Sequence, residues 1–224
     1  MNTVLLSTRV YLVDDHPLVR ESLASLIERQ PDLNVCGEAD TAAAALAGIA
    51  ETDPDVAIVD LSLGEQSGLD LIRQINLEHP HVAVLVLSMH DEALFAVRAL
   101  RAGARGYIMK REASGKVILA IRRVRDGAIA VSERVTDSLT AKLFRGGGVA
   151  QPGSPIESLS DRELDVFRLL GEGRSTKQIA AALNLSSKTV QAYYARIKDK
   201  LGAESALELL REAIRWSEPA SGSK

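Results

Sequence analysis

Short apolar runs alternate with segments of helical hydrophobic spacing along the first 125 residues of the chain. A short apolar run predicts a buried strand, and apolar residues recurring every three or four positions predict an amphipathic helix. Regular alternation of the two indicates a parallel sheet with helices on both faces. We therefore expect an α/β domain with a doubly wound five-stranded parallel sheet of the flavodoxin-like kind. Its predicted strands are 10–13, 33–38, 56–59, 82–87 and 107–109, and its predicted helices span about 17–29, 41–51, 67–78, 91–102 and 113–125.

Polar residues follow four of these strands in a way that core packing does not explain. They are Asp14 with Asp15, then Asp60, Ser88 and Lys110. Because ligands of open α/β sheets bind beyond the carboxyl ends of the strands, these side chains should converge at one edge. Each residue alone could be a loop carboxylate, a surface cation or a helix cap. Their joint occurrence at four strand ends favours one site.

Crowded carboxylates repel one another unless a cation joins them, and oxygen ligands suit Mg²⁺. We expect Asp15, Asp60 and the backbone carbonyl of Ser62 to bind Mg²⁺, with Asp14 assisting through a water. Asp60 ends the central strand, and a carboxylate there can act as a nucleophile that forms an aspartyl phosphate. Lys110 and Ser88 would then bind the phosphoryl oxygens.

The second half of the chain is predicted to be entirely helical. Two capping boxes start helices at Ser160 and Ser175, and Leu159 with Leu164 can form a hydrophobic staple. A third helix begins at Ser186 after a left-handed stop at Asn184, and a fourth spans roughly 204–216. The third helix places Val190, Tyr194, Ile197 and Leu201 toward the core and keeps a polar outer face, which predicts a helix-turn-helix. A plain four-helix bundle is the alternative, but the tight turn and the basic surface argue against it.

The helical pattern weakens after Gly127, where a short helix could occupy 132–144. The Gly- and Pro-rich stretch 146–155 cannot bury a core and is typical of a flexible linker. We therefore predict a first domain at 1–127, a linker at 128–157, a second domain at 158–217 and a flexible tail at 218–224.

The net charge of -3 conceals an asymmetry between the two halves. The stretch 174–200 holds six basic residues and one acidic residue, whereas residues 1–127 carry 13 Lys and Arg against 18 Asp and Glu. A basic stretch in an acidic protein indicates a polyanionic partner for that part alone, although a solvated helix surface is the plainer alternative. The lone Cys36 excludes an internal disulfide, no apolar run is long enough to span a membrane, and a cytoplasmic location is expected.

Four motifs of the first domain resemble a bacterial receiver domain. They are Val13-Asp14-Asp15-His16-Pro17, Asp60 with Gly68 eight positions on, Leu87-Ser88-Met89-His90-Asp91, and Gly106-Tyr107-Ile108-Met109-Lys110. The second domain is similar to the LuxR-type DNA-binding domain. Its matching pieces are Leu159-Ser160-Asp161-Arg162-Glu163, 173–180, 185–190 and 197–201. In this order, the two domains resemble a two-component response regulator of the NarL/FixJ class.

The resemblance implies a phosphorylation-controlled transcription regulator rather than an enzyme with an external substrate. Asp60 would accept a phosphoryl group from a sensor histidine kinase, with Mg²⁺ held by Asp14, Asp15 and Asp60. Ser88 and Tyr107 match the switch pair of the family, and Lys110 matches its phosphate-binding lysine. The implied partners are the kinase, double-stranded promoter DNA, RNA polymerase and, on phosphorylation, a second copy of the chain, with no membrane involved. Gly64 stands where the family often has Pro, and we expect it to loosen the acceptor loop.

The N-terminal part of a recognition helix usually reaches the bases of the major groove. The candidates for base contact are Lys188, Thr189, Gln191, Ala192 and Tyr193. The candidates for phosphate contact, which positions the protein without specifying sequence, are Arg174, Lys177, Arg196, Lys198 and Lys200. Gln191 and Tyr193 replace the Lys and His of many family members, so the specificity should differ from the common pattern.

Two other functions remain open at this point. A phosphohydrolase could use Asp60 as its nucleophile, but the dehalogenase-like group has Asp-x-Asp at its first strand, whereas Asp60 precedes Leu61-Ser62. A DNA-binding regulator with an inactive, phosphorylation-independent receiver is the second alternative. The complete set of acidic, hydroxyl and lysine residues argues against it.

Overall fold

The computed structural model describes residues 7–64, 66–90, 92–144 and 155–217. The chain divides into two compact units, Met1–Val149 and Ala150–Lys224. The division falls in the predicted Gly- and Pro-rich linker. Most of that stretch, the predicted tail and Asp91 lie outside the described residues.

The first unit contains the predicted five-stranded parallel sheet. Its strands are β1 (Thr8–Val13), β2 (Leu33–Ala39), β3 (Val56–Val59), β6 (Ala83–Ser88) and β7 (Gly106–Met109), in the spatial order β2-β1-β3-β6-β7. Helices α1 (Pro17–Glu28), α2 (Ala42–Thr52), α3 (Gly68–Glu78) and α4 (Glu92–Ala102) connect the strands, and α5 (Ala113–Arg125) follows β7. The chain turns from β2 back across β1 to β3, and this reversal opens a crevice at the carboxyl ends of β1 and β3. The predicted fold is confirmed.

Side-chain alternation divides the sheet into two buried faces. Val10 and Leu12 of β1 pack with Ile27 of α1 and Ile121 of α5 in one apolar cluster. The intervening Tyr11 is also buried, on the opposite face. Because both faces are covered, the inner strands β3 and β6 are buried along their whole length, and β6 carries a polar side chain only at its end.

Local capping explains where the helices begin. Pro17 occupies the first turn of α1, where the missing N–H costs nothing. The Thr41 hydroxyl accepts a hydrogen bond from the Ala44 N–H at the start of α2, and Ser67 does the same for Asp70 at the start of α3.

A small antiparallel hairpin follows Asp60 and was not predicted. Strands β4 (Ser62–Leu63) and β5 (Gln66–Ser67) pair across a turn in which Gly64 has a φ of 60°. A non-glycine residue is strained in this left-handed region. Gly64 therefore gives the loop a defined turn, and the looseness expected from the sequence stays a prediction.

Helix α6 (Glu133–Phe144) and the residues before it form part of the first unit. Ala130 bridges to Gly106 in parallel at the edge of β7, and Val135 is buried. Residues 128–144, predicted as linker, thus include a segment that packs on the sheet edge and on α4.

The second unit contains α7 (Asp161–Gly171), α8 (Thr176–Leu183), α9 (Ser187–Leu201) and α10 (Ala206–Ser217). Both predicted capping boxes are present, at Ser160 with Glu163 and at Ser175 with Gln178. The buried core includes Phe167, Ile179, Val190, Ile197 and Ala213. Tyr194 and Leu201, which were also predicted to face the core, are half-buried.

Candidate functional site

The carboxyl edge of the sheet brings together Asp14, Asp15, His16 and Asp60, whose potential ligand atoms lie within 4.8 Å of one another. Asp14 and Asp60 directly follow the adjacent strands β1 and β3, and their side chains are 4% and 3% exposed. Buried carboxylates on neighbouring strands have no role in packing an apolar core. The convergence predicted from the strand ends is therefore present for the three acidic residues.

Lys110 directly follows β7 and lies between two of these carboxylates. Its ammonium Nζ is 2.6 Å from Asp14 Oδ2 and 2.8 Å from Asp60 Oδ2, and its side chain is 9% exposed. One ammonium thus pairs with two carboxylates of a cluster that holds three. Removing charges from water is costly unless they are paired, so this arrangement leaves negative charge that a further cation can balance.

Burial and neighbouring charges shift the pKa values of Asp60 and Lys110. Burial raises the pKa of Asp60 above its ordinary value; the Lys110 charge and hydrogen bond oppose that shift, and the Asp14 charge adds to it. Burial acts to lower the pKa of Lys110, but the charge of Asp60 and the hydrogen bonds to Asp14 and Asp60 outweigh it, and the pKa is raised. Lys110 therefore stays protonated, while the Asp60 carboxylate is held in an unfavourable environment.

The acidic cluster fits a divalent cation. Asp60 Oδ1 is buried and has no hydrogen-bond partner of good geometry among the described residues. A buried carboxylate oxygen in that condition needs a partner, and oxygen donors with excess negative charge are the ligands that Mg²⁺ prefers.

Asp15 is held by contacts that the sequence did not reveal. The Gly64 N–H donates to Asp15 Oδ2 at 3.1 Å, and His16 Nδ1 lies 2.6 Å from Asp15 Oδ1 and 3.2 Å from Asp14 Oδ1. The sequence motif contained His16, but its spacing gave no sign that the ring bridges the two acidic residues. The turn at Gly64 thus ties the acceptor loop to the end of β1.

Ser88 and Tyr107 are both connected to His90. The Ser88 Oγ accepts from the His90 N–H at 3.2 Å, and the Tyr107 hydroxyl donates to the His90 carbonyl at 2.9 Å. Tyr107 is buried with its ring turned inward, and Ser88 is fully buried. The His90 ring stacks on Phe95 of α4 and its Nε2 lies 2.7 Å from Ser62 Oγ, so this residue joins the acceptor loop to α4.

In the second unit, α8 and α9 are joined by the predicted tight turn. Asn184 ends α8 with a φ of 54°, and the Ser186 hydroxyl accepts from the Thr189 N–H at 3.0 Å to cap α9. Val190 and Ile197 face the core, whereas Lys188, Gln191 and Ala192 are exposed. The helix-turn-helix is therefore present, with a polar outer face on α9.

Most of the nominated basic residues are exposed, but their environments differ. Lys177, Lys188 and Arg196 are exposed, and the Arg196 guanidinium lies 5.7 Å from the centre of the half-buried Tyr193 ring. Thr189 and Lys198 are half-buried, and the exposed Arg174 donates to Glu172 at 3.0 Å.

Lys200, predicted to contact a DNA phosphate, also makes contacts within the domain. Its Nζ lies 2.6 Å from the buried Glu163 carboxylate and 3.1 Å from the Ser158 carbonyl. Burial acts to raise the pKa of Glu163, but hydrogen bonds from Lys200 and Ser160 lower it below its ordinary value.

The part of the chain that the structure describes contains no helix with the length and apolar character needed to cross a membrane.

Two families match successive parts of the chain. Residues 10–122 match the family described as "Response regulator receiver domain", and residues 157–213 match "Bacterial regulatory proteins, luxR family". These matches cover both sites described above.

Relatives match this chain over most of its length. The "DNA-binding transcriptional activator DevR/DosR" of Mycobacterium tuberculosis is 37% identical over 88% of this chain and 89% of its own length. The "Oxygen regulatory protein NreC" of Staphylococcus aureus is 33% identical over 92% of this chain and 97% of its own length. A solved structure of RcsB from Salmonella enterica serovar Typhimurium, bound to promoter rprA in the presence of phosphomimetic BeF3-, matches with a TM-score of 0.57. It is 27% identical and covers 93% of this chain and 98% of that one.

Proposed function

The chain belongs to the NarL/FixJ family of two-component response regulators, and we propose that phosphorylation of Asp60 controls its binding to DNA. It is a transcription regulator with a receiver and a LuxR-type DNA-binding domain, and not an enzyme of the classical kind. What we propose beyond this is the acceptor residue, the cation and the residues that read DNA.

The observation that carries the proposal is the environment of Asp60. Lys110 holds one carboxylate oxygen at 2.8 Å, and in the described part of the chain the other is buried without a hydrogen-bond partner of good geometry. Both lie at the crevice of a doubly wound sheet. A carboxylate that is buried, raised in pKa and next to one fixed ammonium is suited to react with a phosphoryl group rather than to stabilise the fold.

In the proposed step an oxygen of Asp60 attacks phosphorus and forms an O–P bond. The bond from phosphorus to the donor breaks, which is P–N for a phosphohistidine and P–O for acetyl phosphate, and the donor leaves with that electron pair. Asp14, Asp15, Asp60 and the Ser62 carbonyl would hold Mg²⁺, which supplies charge neutralisation for the phosphoryl oxygens when bound. Lys110 would move its contact from the Asp60 carboxylate to a phosphoryl oxygen, and Ser88 would donate to another.

The DNA-reading surface is proposed from exposure and helix position. Lys188, Thr189, Gln191, Ala192 and Tyr193 lie in the first half of α9, which is the part that enters the major groove in helix-turn-helix proteins. The phosphate contacts would come from Arg174, Lys177, Arg196 and Lys198. Lys200 would also contact a phosphate while keeping its ion pair with Glu163. Dimerisation on paired half-sites, the kinase, RNA polymerase and a cytoplasmic location are parts of the same proposal.

Acetyl phosphate with Mg²⁺ tests the proposal on the full chain. The DNA probe is a duplex selected from a randomised library by the treated wild-type protein, and its affinity is measured with and without phosphodonor. We expect tighter binding and dimerisation of the treated wild type and no gain for Asp60→Ala. Asp70→Ala, which removes an exposed carboxylate of α3, is the matched control and should retain the gain.

Each alternative has its own signature in this experiment. Equal affinity with and without phosphodonor in the wild type would favour a constitutive DNA-binding regulator. Continuous turnover of phosphate esters would favour a phosphohydrolase.

A further inference from the structure

The residues between α5 and α6 are attached to the sheet through Tyr107. The Ala130 carbonyl accepts from the Tyr107 N–H at 2.8 Å, and the Ala130 N–H donates to the Arg105 carbonyl at 2.9 Å. Gly106 lies between these two contacts, and a Cβ there would come within 2.8 Å of the Ala130 oxygen. The close approach of the two backbones therefore depends on glycine.

Two residues further on, the Ser132 side chain makes two hydrogen bonds. Its hydroxyl donates to Glu92 Oε1 at 2.8 Å and accepts from the Val135 N–H at 3.3 Å. The second bond caps α6, and a cap needs only an acceptor. The donated proton is therefore available for a separate contact, which joins the base of α6 to Glu92, the first residue of α4.

Glu92 lies two residues after His90, which connects the acceptor loop to both switch residues. The His90 contacts reach Ser62 after Asp60, the Ser88 hydroxyl and the Tyr107 hydroxyl. A change of charge at Asp60 that moves the acceptor loop would therefore also move His90, and with it the neighbouring Glu92. Through Ser132 and Ala130, the same movement reaches the helix that precedes the DNA-binding domain.

The surroundings of the contact leave room for such a movement. A cavity of about 520 Å³ lies beside it, lined by Glu92, Tyr107, Leu119, Ser132 and neighbouring residues. Close-packed interiors resist small displacements, whereas side chains that border a cavity can change position without displacing a core.

We propose that Ser132 and Glu92 are positioning residues that couple the receiver switch to α6, and through α6 to DNA binding. The proposal deepens the proposed function and rests on it, because Asp60 phosphorylation is the trigger. The hydrogen bond between the two side chains transmits the movement of the β6–α4 loop to the base of α6. Breaking it uncouples the two events and leaves phosphorylation itself intact.

The test compares variants that separate this contact from the helix cap. Glu92→Ala removes the contact and keeps the Ser132 cap, whereas Ser132→Asp keeps an acceptor for the Val135 N–H and cannot donate to Glu92. Glu92→Gln and Ser132→Thr preserve the contact. Thr41→Ala removes the side-chain cap of α2, away from this contact, and controls for the loss of a cap.

Each variant is treated with acetyl phosphate, its phosphorylated fraction is measured on a phosphate-affinity gel, and its affinity for the selected duplex is determined before and after treatment. We expect wild-type phosphorylated fractions throughout. The gain in DNA affinity should fall by roughly 3- to 10-fold in Glu92→Ala and Ser132→Asp and stay at the wild-type level in Glu92→Gln, Ser132→Thr and Thr41→Ala. Combining Ser132→Asp with Glu92→Ala, which keeps the cap of α6, should cost no more than Glu92→Ala alone.

Two results would overturn the proposal in different ways. A full gain in Glu92→Ala at the wild-type phosphorylated fraction would refute the coupling and leave the role of Asp60 standing. Failure of the wild type to accept phosphate would refute the proposed function, and with it the trigger for this contact.

Discussion

Replacing Asp60 by Asn should stabilise the receiver in metal-free buffer. Burial and the Asp14 charge raise the pKa of Asp60, so the ionised carboxylate is less favourable in the folded state than in the unfolded state. At neutral pH that difference lowers the stability of the wild type, and the penalty is relieved as pH falls through the raised pKa. Asn removes the charge, keeps the shape and retains an acceptor for Lys110, which also keeps its contact with Asp14.

The expected gain is about 1 kcal/mol, in the range seen when a strained functional residue is replaced. For a domain of this size that corresponds to a rise of about 4 °C in Tm. Magnesium should reverse this order of stability, because it stabilises the wild type more than the variant. At ten times its Kd, a cation that binds only the folded state adds about 1.4 kcal/mol to the free energy of unfolding. Asp60→Asn removes one of the proposed ligands and should lose most of this gain.

The assay is thermal unfolding of the full chain with EDTA and then with increasing MgCl₂, comparing wild type, Asp60→Asn and the exposed control Asp70→Asn. We expect the Asp60 variant to be the more stable in EDTA and to lose this advantage as Mg²⁺ stabilises the wild type. A less stable Asp60→Asn in EDTA, or an equal response of both proteins to Mg²⁺, would refute the electrostatic account of the site.

Two further predictions concern the DNA-binding domain. Glu163→Gln should destabilise it by about 1–2 kcal/mol at neutral pH, because the variant loses the ion pair with Lys200. The loss is smaller than for a fully buried pair, since Lys200 is 39% exposed and water can hydrate its charge. Hydrogen bonds lower the pKa of Glu163, so the wild type should be more stable than the variant above the ordinary carboxyl pKa. This difference in the free energy of unfolding should vanish as pH falls through the lowered pKa. Denaturant titrations at several pH values measure it, and a difference that persisted in acid would contradict the prediction. Lys177→Ala should weaken binding to all duplexes and reduce the slope of log affinity against log salt concentration by about 1. Gln191→Ala should instead change the base preference. Equal losses of affinity on every sequence for both variants would contradict the division into phosphate and base contacts.

The strands could be predicted because each depends on a local apolar run, and the acidic cluster could be predicted because it follows from the parallel order of those strands. Apolar runs define the strands, and parallel strands necessarily bring their carboxyl ends to one edge. Asp14, Asp60 and Lys110 therefore meet without any knowledge of side-chain packing. The capping boxes at Ser160 and Ser175 are equally local.

The parts that could not be predicted depend on tertiary contacts. The β4–β5 hairpin consists of two-residue strands, too short for a periodic pattern. The contact of Lys200 with Glu163 joins residues 37 positions apart, and the contact of Ser132 with Glu92 joins residues 40 positions apart. Nothing in the local sequence of Lys200 or Ser132 indicates the distant carboxylate that each contacts.

The identity of the acceptor can be measured directly by chemical trapping. The protein is incubated with acetyl phosphate and Mg²⁺, and borohydride then reduces an aspartyl phosphate to homoserine, which peptide mass spectrometry locates. The account predicts homoserine at position 60 in the wild type and none at Asp14 or Asp15. Unmodified Asp60, or homoserine at another acidic residue, would contradict it.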